Sequence, residues 1–112
     1  MAWTSLGQVT ITTPGTRVRL TANQSDPTLR IGCQSLLVQA ISSASHTNTG
    51  RVYLYYGATG GAPLATLAVP TANTIPSAAA TVPDAPGALD ASGYYIDADN
   101  ATDGVNASYL RP

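Results

Sequence analysis

The run Arg51-Val52-Tyr53-Leu54-Tyr55-Tyr56, held between Gly50 and Gly57, is the strongest local signal in the chain. Aromatic and β-branched side chains at consecutive positions fit a pleated strand and lose χ1 freedom in a helix. In a strand Val52, Leu54 and Tyr56 share one face, and Tyr53 and Tyr55 take the other. One of those faces is core, so at most one set of tyrosines is a binding patch.

A strand of this kind needs partners, and the sequence supplies them. Residues 8–13 and 17–22 alternate apolar and polar, the mark of strands with one buried and one wet face. Between them Thr13-Pro14-Gly15-Thr16 has Pro and Gly at the two central positions of a type II turn. This reads as a β-hairpin, or a tight strand-turn-strand, with Arg17 and Arg19 on its outer face.

Asn23 to Thr28 is a loop signal, and Leu29 to Ile41 is a long apolar run whose buried parity changes partway. The change implies a bulge near Gly32 to Ser35, or burial on both sides, as in a central sandwich strand. Leu64 to Val69, Gly93 to Ala98 and Val105 to Leu110 are further strands, the last two read as a hairpin closed at Asp103-Gly104. Pro70, Pro76, Pro83 and Pro86 rule out a central strand or a helix over residues 70–88. That segment reads as a Pro-rich extended arm or loop, with Ile75 and Val82 as anchors.

Lysine and glutamate do not occur, so all the charge is five arginines and six aspartates. The best charged helix formers are therefore missing, and Thr, Ser, Gly and Pro favour strands and turns. With 112 residues, the expectation is one all-β domain: a single antiparallel β-sandwich or jelly-roll-like fold of about seven strands. Residues 1–6 form an N-terminal arm in this reading.

Charged residues are 10% of the chain, against about 25% in ordinary domains. A surface dominated by Thr, Ser, Asn, Gln and Ala suits a part of a larger assembly, or one that meets glycans. A formal charge of −1 and arginines scattered at 17, 19, 30, 51 and 111 argue against nucleic acid. Met1 to Leu6 lacks the basic and apolar regions of a signal peptide, and no run of 18 apolar residues occurs. A cytoplasmic product without a membrane span is expected, so the sequons at Asn23, Asn100 and Asn106 read as a by-product of composition.

Asp97, Asp99 and Asp103, with Asn100, are the one dense acidic cluster. Loop oxygens of this sort hold Ca²⁺ in other proteins, but Ala101 and Thr102 break the EF-hand spacing. A polar hairpin is the preferred reading, with no metal or cofactor, and Ca²⁺ on Asp97, Asp99 and Asp103 is the alternative. The lone Cys33 lies in an apolar run and reads as a small buried hydrophobe, while His46 sits in a polar loop and reads as exposed. There is no G-x-S-x-G elbow, and Gly57 to Gly61 lacks the Gly-Lys-Ser/Thr ending of a phosphate loop. No enzyme is expected.

Thr12-Thr13-Pro14-Gly15-Thr16-Arg17-Val18-Arg19-Leu20, Leu37-Val38-Gln39-Ala40 and Asn48-Thr49-Gly50-Arg51-Val52-Tyr53-Leu54 together resemble a class of small tailed-bacteriophage virion proteins. Tyr94-Tyr95-Ile96-Asp97-Ala98-Asp99 and Gly104 to Leu110 are similar too. The resemblance implies a β-sandwich virion component, foremost a capsid decoration (cement) protein. Such proteins sit on the outer head surface, often as homotrimers, and hold neighbouring units of the major capsid protein together. On this reading Trp3, Arg17, Arg19, Ile75 and Val82 make capsid or subunit contacts. The alternative is a glycan- or receptor-binding module of a tail or neck that uses exposed tyrosines and the Asp97 to Asp103 loop.

Overall fold

The computed structural model describes residues 3–42, 46–70, 79–82 and 89–110, with the backbone alone for 79–82 and 89. Among these residues ten strands run in order: β1 Trp3–Thr10, β2 Val18–Arg19, β3 Gly32–Cys33, β4 Ser35–Ala40, β5 Val52–Tyr56, β6 Ala65–Leu67, β7 Ala79–Val82, β8 Leu89–Asp90, β9 Tyr94–Ala98 and β10 Gly104–Leu110. A single 3-10 turn, Ala91–Gly93, joins β8 to β9. Among the described residues no helix is long and apolar enough to cross a membrane.

The pairings are nested. β1 pairs with β10, β2 with β9, β3 with β8, β4 with β7 and β5 with β6, all antiparallel. The chain is thus one long hairpin with its tip between β5 and β6, and it is rolled up on itself. Rolling brings β10 against β4 and β9 against β5, which completes two four-stranded sheets, β1-β10-β4-β7 and β2-β9-β5-β6. This is the pairing of a jelly roll, and the all-β sandwich-like expectation holds.

The core lies between the sheets. Val9, Leu36, Val38, Ala40, Val105, Ala107 and Tyr109 from the first sheet meet Val52, Leu54, Leu67, Tyr94 and Ile96 from the second. Burial alternates over residues 36–40, 52–55, 94–98 and 105–110, as a period-two strand with one wet face requires, and Tyr56 at the end of β5 is exposed. Leu6 is the exception: the β1:β10 register shifts between Ser5 and Gly7, and the bulge turns Leu6 inward at 1% exposure.

Two expected hairpins are not hairpins. The Thr13 to Thr16 turn forms, with Thr16 N–H donating to the Thr13 carbonyl at 3.0 Å and Gly15 at φ 92°. It carries the chain from one sheet to the other, so β1 and β2 do not pair. Asp99 to Asp103 likewise takes β9 to β10 across the sandwich. The two corners pair with each other: Ile11 N–H donates to the Asp103 carbonyl at 2.9 Å, and Thr102 N–H to the Ile11 carbonyl at 2.7 Å. Thr102, not Gly104, takes the positive φ, at 72°.

Three further readings change. Residues 3–6 belong to β1, with Trp3 opposite Leu110 and Thr4 opposite Tyr109, so the arm expected over residues 1–6 is strand from Trp3 onward. Within the proline-rich segment Ala79–Val82 forms the outer strand of the first sheet, the position in a sheet that a proline-rich stretch tolerates. The face change expected near Gly32 to Ser35 occurs at Gln34, where the chain leaves the β3:β8 ladder and enters β4.

Candidate functional site

The two sheets turn different chemistry outward. None of the residues in β1, β10, β4 and β7 is Arg, Asp or His. On the outer face of this first sheet Gln8, Asn106 and Gln39 are direct cross-strand partners, so three carboxamides form one row. Ser5, Ser108 and Leu37 form the next row, and Trp3 opposite Leu110 ends the face. Trp3 is 50% exposed. None of the three carboxamide side chains is hydrogen-bonded to another described residue.

The outer face of the second sheet carries the tyrosines and arginines. Tyr55 and Tyr95 are direct partners, and Arg19 is the partner of Tyr95 on β2. The Arg17 guanidinium lies 3.5 Å from the centroid of the Tyr55 ring, and that of Arg19 lies 5.0 Å from the Tyr95 ring. Arg17 also donates through Nη1 to the Gly57 carbonyl at 3.0 Å and through Nη2 to the Gly60 carbonyl at 2.9 Å. Arg19 Nη1 donates to the Ser92 carbonyl at 2.7 Å. Both arginines stand on the outer face, as expected, and both are engaged by their own chain. One row along, Tyr53 donates its hydroxyl to Asp99 Oδ1 at 2.8 Å, and that carboxylate pushes the phenol above its ordinary pKa.

The acidic cluster does not converge. Asp97 Oδ1 accepts the Gly15 N–H at 3.0 Å and so ties one corner to β9. Asp99 serves Tyr53. Asp103 is wholly buried and accepts from Gly50 N–H at 2.8 Å, from Thr49 N–H at 3.0 Å and from the Thr49 hydroxyl at 3.3 Å. His46 Nε2 lies 3.0 Å from Asp103 Oδ1 with its side chain 32% exposed, so His46 is half-buried and paired, where an exposed loop residue was expected. Among the described residues no group of three or more His, Cys, Asp or Glu side chains is placed to hold a metal ion.

Cys33 is buried in the core as expected, and burial, with the nearby Asp90 charge, pushes its thiol pKa up. Val82 is the last residue of β7, with its backbone opposite Leu36. Ile75 lies outside the described residues. The expected contact residues are thus not one patch: Trp3 is on the outer face of the first sheet, and Arg17 and Arg19 are on that of the second.

The carboxamide row was not among the expected contacts, although Gln8, Gln39 and Asn106 each stand at a polar position of an apolar-polar alternation. Their alignment depends on strand register between segments far apart in sequence. No family model, no curated protein and no solved structure matches the chain. The functional reading therefore rests on the surfaces themselves.

Proposed function

We propose that this chain is a non-enzymatic structural protein of a phage virion, which decorates the outer surface of the capsid and stabilises it by bridging capsomers of the major capsid protein. The observation that supports this reading is the charge-free first sheet. A freely diffusing domain spreads charge over its surface for solubility, whereas here one whole sheet has none and ends in a half-exposed Trp3. Covering such a face strips no charge of water, and interface cores are poor in charge and rich in Trp. Jelly rolls serve in viral capsids and in lectins, so the fold alone is compatible with the alternative as well.

The glycan-binding alternative asks for aromatic rings open to a sugar. Guanidinium groups already lie over Tyr55 and Tyr95, and Asp97, Asp99 and Asp103 are spent on three separate internal contacts. The decoration reading needs a protein built to be covered within an assembly, as the charge-free sheet is, with many modest contacts adding through multivalency.

The test is the copy number of this chain relative to the major capsid protein in purified particles, with the heat stability of particles made with and without it. A ratio near lattice stoichiometry and weaker bare particles are expected. A handful of copies moves the protein to a neck or tail, and absence from the particle ends the virion reading.

A further inference from the structure

On β1, β10 and β4 the row Gln8, Asn106, Gln39 sets a carboxamide on each side of Asn106, and Ala79 of β7 continues it beyond Gln39. We propose that the outer face of the first sheet packs against the same face of a second copy of this chain, across a two-fold axis that runs along β10. The inference rests on the assembly reading above and adds to it the occupant of the charge-free face.

A two-fold interface must be self-complementary, because each patch meets itself. A carboxamide carries donors and an acceptor and so satisfies another carboxamide. An axis along β10 sets Asn106 on Asn106, Ser108 on Ser108, Leu110 on Leu110, Gln8 on Gln39 and Ser5 on Leu37 of the second copy, with β7 outside the overlap. No like charges meet, because the four strands contain none. Sheets stacked face to face stand about 10 Å apart, a gap that Gln and Asn side chains fill from both sides. Pairing through the free edge of β1 is the poorer route, since the bulge at Leu6 and the Asn23 amide bonded to the Gln8 carbonyl interrupt that edge midway.

The size of the face sets the strength. With the axis along β10 only β1, β10 and β4 face their counterparts, and at about 4.8 Å per strand and about 3.4 Å per residue they span roughly 14 by 20 Å, or about 300 Å² in projection. Stable complexes bury about 800 Å² per partner. Pairing is therefore weak and concentration-dependent for free chains, and strong where an assembly holds many copies side by side.

Sedimentation equilibrium of the full chain over a wide concentration range tests this. The wild type is expected to show a monomer-dimer equilibrium. Asn106→Asp and Asn106→Lys each set like charges against each other on the axis, so each alone weakens dimerisation by about tenfold or more. An equal mixture of the two sets opposite charges there and restores a dimer with one copy of each. Asn106 is exposed, and circular dichroism checks that both variants keep the fold. A wild type that stays monomeric at the highest concentration overturns the proposal, as does a ring of three copies indifferent to residue 106. Variants that pair like the wild type, or a mixture that stays monomeric, also overturn it. Particle content is scored separately: a dimer absent from particles sinks the virion reading alone, and a monomer present on particles sinks only the pairing.

Discussion

Asn48 and Gly104 are held together by a reciprocal pair of hydrogen bonds: Asn48 Nδ2 donates to the Gly104 carbonyl at 2.8 Å, and Gly104 N–H donates to Asn48 Oδ1 at 3.0 Å. The side chain thus acts as a piece of strand, and it does so at 2% exposure. It fastens the segment before β5 to the first residue of β10, where the chain turns from one sheet into the other.

Asn48→Ala removes both bonds and strands a buried N–H, at an expected cost of about 2–4 kcal/mol. Gly104→Ala is expected to be worse, because a Cβ there overlaps the Val9 carbonyl oxygen and the Thr10 Cα of β1. Denaturant midpoints check both. A Gly104→Ala variant with wild-type stability would show that β1 and β10 are not packed this closely.

Much of the fold was legible locally and little of the pairing was. The period of 2 in Val52 to Tyr56, the Pro14-Gly15 turn and the final strands follow from side-chain alternation and backbone preference. The partners do not, because an Asp-Gly or Pro-Gly turn fits a hairpin and a sheet-crossing corner equally well. What decides is distant: Asp103 is buried against Thr49 and Gly50, and Asp97 reaches back to Gly15. For the same reason Arg17 and Arg19 were legible as outward residues, but not their stacking on Tyr55 and Tyr95.

Asp90 makes stability depend on acid pH. Burial raises its pKa, but the Ser92 hydroxyl and N–H and the Ile31 N–H, all bonded to Oδ1, outweigh burial and leave it below the usual aspartate value. A folded pKa below the unfolded one means stabilisation that is complete above the unfolded pKa and is lost as pH falls through the folded pKa. The wild type should therefore lose stability in that acid window, and Asp90→Asn should show a shallower loss there. Thermal melts from neutral to acid pH give the comparison, and equal slopes would remove Asp90 as a cause.

Cys33 should be silent toward thiol reagents while the chain is folded. It is buried, and its raised pKa keeps it protonated at neutral pH, whereas the thiolate is the reactive form. Labelling with a chromogenic disulfide is expected to be complete in denaturant and slow without it, at a rate set by opening of the domain. Fast labelling of the native protein would mean that the β3:β8 ladder opens on its own.

Arg17 fixes the Gly57 to Gly61 loop to the Tyr55 ring. Gly57, Gly60 and Gly61 all have positive φ, at 92°, 72° and 75°, and two of their carbonyls are bonded to the one guanidinium. A lysine keeps the charge but has no planar fork to reach both carbonyls and stack at once. Arg17→Lys is therefore expected to speed amide exchange across residues 57–61 while lowering global stability by only about 1 kcal/mol. Unchanged exchange in the loop would show that its own turns hold it. Arg17→Ala goes further and uncovers the Tyr55 ring, so it also discriminates between the functional readings. Sugar binding that appears only in Arg17→Ala identifies the ring as a covered platform, whereas sugar binding by the wild type would favour the glycan-binding alternative over capsid decoration.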